Sequence, residues 1–84
     1  MSQSATTKDE RFLVTLYQMA SDAGSPTHPI DRYQIGKAIG QNDKGIDTIV
    51  RLLAQANFIQ QKGEREVALT PHGLQLAKRL AELK

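Results

Sequence analysis

The sequence has no cysteine and no tryptophan, and its Phe and Tyr content is limited to two phenylalanines and two tyrosines. Without cysteine, the chain forms no disulfide framework and offers no thiolate to a substrate or a metal ion. The few aromatic residues lie in apolar patterns typical of a core, so they do not provide the stacking platform that single-stranded nucleic acids require. These absences fit a reducing, cytoplasmic setting and argue against RNA or single-stranded DNA as the ligand.

Long hydrophobic runs are also absent. No stretch approaches the roughly 20 apolar residues that a membrane-spanning helix needs, and the opening MSQSATTKDER is too polar for a secretory signal. With 84 residues, 39% of them hydrophobic, the chain is close to the lower limit for a self-sufficient core. We therefore predict one soluble, cytoplasmic domain over residues 8–84, preceded by a disordered tail over residues 1–7.

The sequence also has little excess of either charge, because 11 Lys and Arg residues are nearly balanced by 9 Asp and Glu residues. The net charge of +2 comes mainly from Lys78, Arg79 and Lys84 near the C-terminus. A strong nucleic-acid binder usually concentrates its positive charge more clearly than this. Charge alone is therefore a weak indication of a nucleic-acid ligand.

No group of residues is typical of an active site or a metal site. His28 and His72 are the only histidines, and neither has a second ligand at metal-binding spacing, so we expect both in solvent. The sequence also lacks a Ser/His/Asp set, paired carboxylates in an apolar frame and a phosphate-cradling glycine loop. It therefore predicts neither enzyme activity, nor a metal, nor a cofactor.

Apolar periodicity predicts where the first helix lies. From Lys8 onward, apolar residues recur at helical spacing until Gly24, which ends the helix. The following GSPTHP is a loop by composition. Ile30 is a single apolar residue at the end of that loop, which we interpret as a strand of one or two residues.

Two further helices follow, with a tight turn between them. Asp31 is a good N-cap for a short second helix that Gly40 ends, and Asn42 is a good N-cap for a third helix over about residues 43–56. After the third helix, Asn57 suits the left-handed conformation, in a place that Gly more commonly fills. The middle of the chain is therefore a helix, a turn and a helix.

A charged hairpin then separates the third helix from a last one. The stretch FIQQKGEREVALTPHG has apolar residues on both sides of QKGER, which predicts two short strands within residues 58–69. Thr70 caps the last helix, with Pro71 at its first position, where a missing N–H costs nothing. Gly73 in the first turn is slightly unfavourable for a helix, and we expect it only to be tolerated.

This order of elements resembles a winged helix-turn-helix domain of small prokaryotic transcriptional regulators. The segment YQIGKAIGQNDKGIDTIVRLLAQANFI is similar to the helix-turn-helix, and VALTPHGLQLA to the exit from the wing into the final helix. The resemblance covers residues 8–84 and departs from the family at Asn57, where Gly is usual. It implies a mainly α fold with a small β-hairpin, made of a three-helix core, a wing and a C-terminal helix.

The resemblance also implies a transcriptional regulator that binds double-stranded DNA. In such domains the third helix, here residues 43–56, enters the major groove, and the wing, here residues 58–69, meets the backbone or an adjacent groove. The expected DNA contacts are the polar side chains opposite the buried stripe of the third helix and the cations of the wing: Lys44, Asp47, Thr48, Arg51, Gln55, Lys62 and Arg65.

Three features of the third helix leave alternatives open. Asp43 and Asp47 repel phosphates, which favours a winged-helix module for protein–protein contacts without DNA binding as the rival function. Asp47 and Arg51 are four residues apart, so they are placed to pair with each other. Gly45 suits either a close approach of the backbone to DNA or a tolerated small surface residue.

The first and last helices are each apolar on two adjacent stripes. One stripe from each helix is enough for the core of so small a domain, so the second stripe predicts a homodimer formed through these helices. The alternative is a thin domain that buries both stripes within one chain. The stripes are Phe12, Leu16 and Met19 beside Leu13, Tyr17 and Ala20, and Leu76, Leu80 and Leu83 beside Leu74, Ala77 and Ala81.

Overall fold

The computed structural model describes residues 7–82 of the chain, which form four helices and three short strands. Apart from its last residue, the expected tail over residues 1–7 lies outside this range. The predicted mainly α fold with a hairpin is confirmed, and no helix within residues 7–82 is long and apolar enough to cross a bilayer. The elements are α1 Lys8–Asp22, β1 Ile30–Asp31, α2 Arg32–Ile39, α3 Asp43–Gln55, β2 Ile59–Lys62, β3 Glu66–Leu69 and α4 Pro71–Glu82.

Thr7 belongs to the folded domain rather than to the tail that the sequence predicts. Its hydroxyl accepts a hydrogen bond from the backbone N–H of Glu10 (3.1 Å), and its own N–H donates to the Glu10 carboxylate (3.3 Å). This reciprocal capping box provides partners for two backbone N–H groups that the helix itself leaves unpaired. The domain therefore begins one residue earlier than predicted.

The turn between α2 and α3 is built from the caps that the sequence predicts. The Asp31 carboxylate accepts from the N–H of Tyr33 (2.9 Å), and the Asn42 side-chain oxygen accepts from the N–H of Gly45 (2.8 Å). Gly40 ends α2 with a φ of 76°, in the left-handed region where glycine carries no steric penalty. These caps confirm the predicted helix-turn-helix.

Helices α2 and α3 approach each other closely at Gly36. A Cβ atom placed there would lie 2.6 Å from Cγ1 of the buried Ile46 and 3.1 Å from the carbonyl oxygen of Gln41. The N–H of Gln41 donates to the Gly36 carbonyl (2.9 Å), which closes the turn. A larger residue would push α3 away from α2, so this glycine sets the spacing of the two helices.

The three strands form an antiparallel sheet in the order β1-β3-β2. Ile30 pairs with Val67, which confirms the short strand expected at Ile30 and adds it to the edge of the hairpin. Ile59 pairs with Leu69 at the base of the hairpin. The inward side chains of sheet and helices form the hydrophobic core: Phe12, Leu13, Leu16, Ile35, Ile46, Ile49, Val50, Leu53, Ile59, Val67, Leu69 and Ala77.

Much of the double apolar stripe on α1 and α4 is buried within the single chain. Six of its members are no more than 7% exposed: Phe12, Leu13, Leu16, Ala20, Ala77 and Leu80. For these residues the thin-domain alternative holds, because α1 and α4 pack against each other and against β3. Tyr17 and Leu76 remain half-buried at the surface, and Leu83 lies outside the described residues. A dimer contact through α1 and α4 would therefore have to use side chains that the core does not bury.

Gly73 is required by the fold, although the sequence suggests only that it is tolerated. The N–H of Thr70 donates to the Phe58 carbonyl (3.1 Å). The Thr70 hydroxyl donates to the carbonyl of Asn57 (2.6 Å) and accepts from the N–H of Gly73 (3.0 Å). These bonds hold the start of α4 so close to the hairpin that a Cβ atom on Gly73 would overlap the Phe58 carbonyl oxygen. Asn57 has a φ of 66°, which confirms its predicted left-handed conformation.

We expect Gly73→Ala to lower the free energy of unfolding by about 1–3 kcal/mol, because the new methyl group must displace backbone atoms. Gly45→Ala is the matched control. It should be neutral or stabilising by up to about 1 kcal/mol, since alanine favours a helix and the flexible end of the Gln41 side chain can move aside. Urea unfolding followed by circular dichroism measures both. A Gly73→Ala variant as stable as the parent would contradict the close contact.

Candidate nucleic-acid interface

The polar side chains that the sequence predicts to contact DNA all lie at the surface. Helix α3 buries Ile46, Ile49, Val50 and Leu53. The side chains exposed on its other faces include Lys44, Asp47, Thr48, Arg51 and Gln55. In the hairpin, hereafter the wing, Lys62 and Arg65 are exposed on either side of the turn. Every predicted site residue is therefore accessible to a ligand.

Helix α3 also exposes apolar surface, at Leu52. Leu52 is 46% exposed and is the one exposed large apolar side chain among residues 7–82. It lies one helical turn after Thr48, whose hydroxyl donates to the Lys44 carbonyl (3.2 Å). That bond occupies the hydroxyl proton of Thr48. This flank of α3 therefore offers apolar surface, which suits a thymine methyl group or a protein partner.

Arg32, the first residue of α2, joins α3 to the wing. Its side chain is only 9% exposed. Nε donates to the Arg65 carbonyl (3.0 Å), Nη2 to Oε1 of Gln61 (3.0 Å) and Nη1 to Oδ1 of Asp47 (3.4 Å). A buried guanidinium needs protein acceptors, and these come from the wing turn, β2 and α3. The side chain thus holds α3 and the wing in one arrangement.

Asp47 is paired differently from the sequence expectation. Its Oδ1 atom accepts from the Tyr33 hydroxyl (2.8 Å) and from Arg32, and no Asp47–Arg51 pair occurs within residues 7–82. Asp47 pairs with the donors from α2 because these donors are already held in place. An exposed Asp47–Arg51 pair, four residues apart on a helix, would contribute only about 0.2–0.5 kcal/mol. Within residues 7–82, Arg51 and Lys44 make no ion pair, so both charges face solvent.

The hydroxyl of Tyr33 is a stable donor to Asp47. The hydrogen bond to Asp47 is the main cause that raises the pKa of Tyr33 above its ordinary value of 10.0, followed by desolvation and by the negative charge of Asp47. The Arg32 guanidinium, whose Cζ lies 6.0 Å from the ring centroid, opposes part of this shift. The phenol is already neutral at neutral pH, and the raised pKa favours this donor form further.

The wing carries two cations with different surroundings. Nη2 of Arg65 lies 3.6 Å from Oδ2 of Asp31, but the Arg65 side chain is 65% exposed, so a phosphate can compete for it. Lys62 lies opposite Glu66 in the strand register and forms no ion pair within the described part of the chain. Gly63 turns the chain with a φ of 64°. Lys62 can therefore contact an anionic ligand directly, whereas Arg65 would exchange Asp31 for that ligand.

The two histidines are exposed, as expected, and one of them has an aromatic partner. The His72 ring stacks on Phe58, with centroids 4.7 Å apart and an angle of 9° between the planes. Both rings border a shallow groove of about 210 Å³ that Leu76 and Arg79 also line. Within residues 7–82, no cluster of three or more His, Cys, Asp or Glu side chains could hold a metal ion.

Sequence reasoning missed Arg32 as part of the site. Its three acceptors lie 15, 29 and 33 residues away in the chain, so no spacing rule relates them. One local signal was present. A cation in the first turn of a helix is opposed by the helix dipole, so an arginine there indicates a tertiary partner.

The helix-turn-helix, the three-stranded sheet and the final helix together define a winged helix-turn-helix domain. Among solved structures, the chain is similar to MepR, a transcription regulator of the Staphylococcus aureus multidrug efflux pump MepA. The TM-score is 0.75 at 20% identity, covering 93% of this chain and 56% of that chain. A MepR mutant bound to an oligodeoxyribonucleotide also gives a TM-score of 0.75, at 19% identity and the same coverage.

A further similar structure is the transcriptional regulator PcaV from Streptomyces coelicolor in complex with its natural ligand. Its TM-score is 0.64 at 21% identity, covering 93% of this chain and 55% of that chain. The chain therefore spans little more than half the length of these proteins. At such identities the likeness shows the winged-helix fold alone. No protein-family model matches the chain, and no curated protein matches it by sequence.

We expect Arg32→Met to lower the free energy of unfolding by about 1–3 kcal/mol, because it removes hydrogen bonds from a charged donor and keeps a similar side-chain volume. Arg11→Met is the matched control, since Arg11 is exposed and donates to the Ile39 carbonyl (3.2 Å). A surface change of this kind should stay within about 0.5 kcal/mol. Chemical denaturation measures both variants. Equal effects would show that Arg32 is not a structural link.

Proposed function

We propose that the chain is a transcriptional regulator that binds double-stranded DNA, with α3 in the major groove and the wing on the backbone or an adjacent groove. The observation that carries the proposal is the pairing of Asp47 with Arg32 and Tyr33. It offsets a negative charge that would repel phosphates, and it leaves Lys44 and Arg51 without an ion-pair partner among residues 7–82. The exposed face of α3 then carries Lys44 and Arg51 against one carboxylate without an ion-pair partner among residues 7–82, that of Asp43.

The structural neighbours support the same function. MepR and PcaV are transcription regulators, and a MepR mutant was solved with an oligodeoxyribonucleotide. A shared fold does not fix function by itself, so the argument depends on the side chains of α3 and the wing in this chain. We infer a binding protein rather than an enzyme, acting where prokaryotic chromosomal DNA lies, in the cytoplasm.

The rival function, a protein-interaction module, is favoured by Leu52. A leucine that is 46% exposed on α3 suits an apolar protein groove as well as a thymine methyl group. Salt distinguishes the two, because binding to a duplex releases counterions and weakens steeply as salt rises. Binding through an apolar contact does not weaken in this way.

We further infer a homodimer that forms through α1 and α4. A two-fold dimer places two recognition helices about one helical turn of DNA apart, which doubles the contacted sequence. Because Ala77 and Leu80 are buried in the core, the contact on α4 has to use its half-buried residues. We assign it to Leu76, which borders the groove lined by Phe58 and Arg79.

Removing single cations should separate backbone contacts from base contacts. Lys62→Ala and Arg65→Ala should weaken binding about equally for all duplexes, and each should lower the slope of log K against log salt by roughly one unit. Arg51→Ala should cost about 1–3 kcal/mol on the preferred duplex only. Fluorescence anisotropy of a labelled duplex at two salt concentrations measures these effects.

Lys78→Ala is the matched control for that series, because Lys78 is an exposed cation on α4, outside the proposed interface. It should change neither the affinity nor the salt slope. If Lys44→Ala, Arg51→Ala and both wing variants bind duplex as the wild type does, α3 does not read DNA. The protein-interaction module would then take its place.

The homodimer is tested by one added charge on α4. Leu76→Glu should convert a dimer to a monomer, because it places a carboxylate in an apolar contact. Gln60→Glu adds the same charge at an exposed position on β2, outside that groove, and should leave the dimer intact. Light scattering gives the mass of each. A wild-type protein that is monomeric at the highest accessible concentration would exclude the dimer.

A further inference from the structure

The two carboxylate oxygens of Asp47 have different surroundings. Oδ1 accepts from the Tyr33 hydroxyl at 2.8 Å and from Nη1 of Arg32 at 3.4 Å. Oδ2 accepts no hydrogen bond from residues 7–82, and the side chain is 53% exposed. One oxygen is therefore held by two donors, while the other accepts no hydrogen bond from the described part of the chain and lies on the same helix as the exposed Lys44 and Arg51.

The donors at Oδ1 do more than offset the negative charge. Two hydrogen bonds from α2 fix the rotamer of Asp47, so Oδ2 keeps one position relative to α3. Tyr33 and Arg32 are themselves held, Tyr33 at the start of α2 and Arg32 by Gln61 and the Arg65 carbonyl. A polar group that is already oriented loses little conformational entropy when it binds, which is what sequence discrimination requires.

The edges of the bases in the major groove limit what such an oxygen can accept. Guanine presents two acceptors, and thymine presents an acceptor and a methyl group, so both repel or exclude a carboxylate. Adenine presents an amino donor, but its neighbouring N7 acceptor opposes a second carboxylate oxygen. Cytosine presents its N4 amino group without an adjacent acceptor on the same base. Cytosine is therefore the base that a fixed carboxylate favours.

We propose that Asp47 is a specificity-determining residue whose Oδ2 accepts a hydrogen bond from the N4 amino group of a cytosine, with Arg32 and Tyr33 as its positioning residues. This inference rests on the proposed function, because it requires α3 to lie in the major groove. It assigns a role to the residue whose charge, taken alone, argues most strongly against DNA.

The test compares the duplexes that each variant selects from a random pool. The wild type should fix cytosine at one position, and replacing that base pair should weaken binding by about tenfold. Asp47→Ala should accept all four bases at that position, and its preferences at the other positions should not change. Asp47→Asn should reject cytosine there and favour guanine or thymine, because an amide whose oxygen is still held by Tyr33 and Arg32 presents only its NH2 group, a donor, to the base. A residue with only a structural role would not produce that switch.

Two further variants serve as controls. Asp43→Ala removes a carboxylate from the same helix and the same phosphate repulsion, and it should keep the cytosine preference. Tyr33→Phe removes one donor to Oδ1 and should reduce that preference at the same position without abolishing it. Failure of the wild type to retain any duplex would overturn the proposed function. Retention with an unchanged cytosine preference in Asp47→Ala and Asp47→Asn would overturn this inference alone.

Discussion

A single buried guanidinium fixes how the parts of the candidate interface are arranged. The Arg32 side chain is only 9% exposed, so its donors must find acceptors within the protein. They find them on Asp47 in α3, on Gln61 in β2 and on the Arg65 carbonyl in the wing turn. The planar fork of arginine is rigid, so these acceptors have little freedom relative to one another. Helix α3 cannot tilt against the wing without leaving a buried charge unpaired.

The base of the wing is held by backbone contacts instead. Thr70 bonds to the carbonyls of Asn57 and Phe58, and Gly73 lets α4 lie directly against Phe58. A hairpin with two strands of four residues is at best marginally stable alone, so these contacts and Arg32 give it a defined shape. Cations on a wing of fixed shape lose less entropy on meeting a ligand than cations on a mobile loop.

The elements of the fold could be predicted from the sequence because their signals are local. Asp31 and Asn42 cap helices through N–H groups two or three residues away, and helical spacing alone identifies the exposed polar residues of α3. Their partners could not be predicted in this way. The acceptors of Arg32 are at least 15 residues distant. The local rule of four residues suggested the wrong partner for Asp47, and only the folded chain shows why Gly73 is required.

The small net charge of the chain is consistent with the proposed recognition of base edges rather than with strong binding to the phosphate backbone of DNA. Arg32 is bound internally to Asp47, and α3 itself carries only two cations, Lys44 and Arg51. Few phosphate contacts mean weak non-specific binding. Discrimination must then come from base edges, and a carboxylate contributes there by rejecting the acceptors of guanine and thymine. An aspartate that would weaken a non-specific binder can therefore serve a specific one, provided that the fold fixes its orientation and offsets its charge.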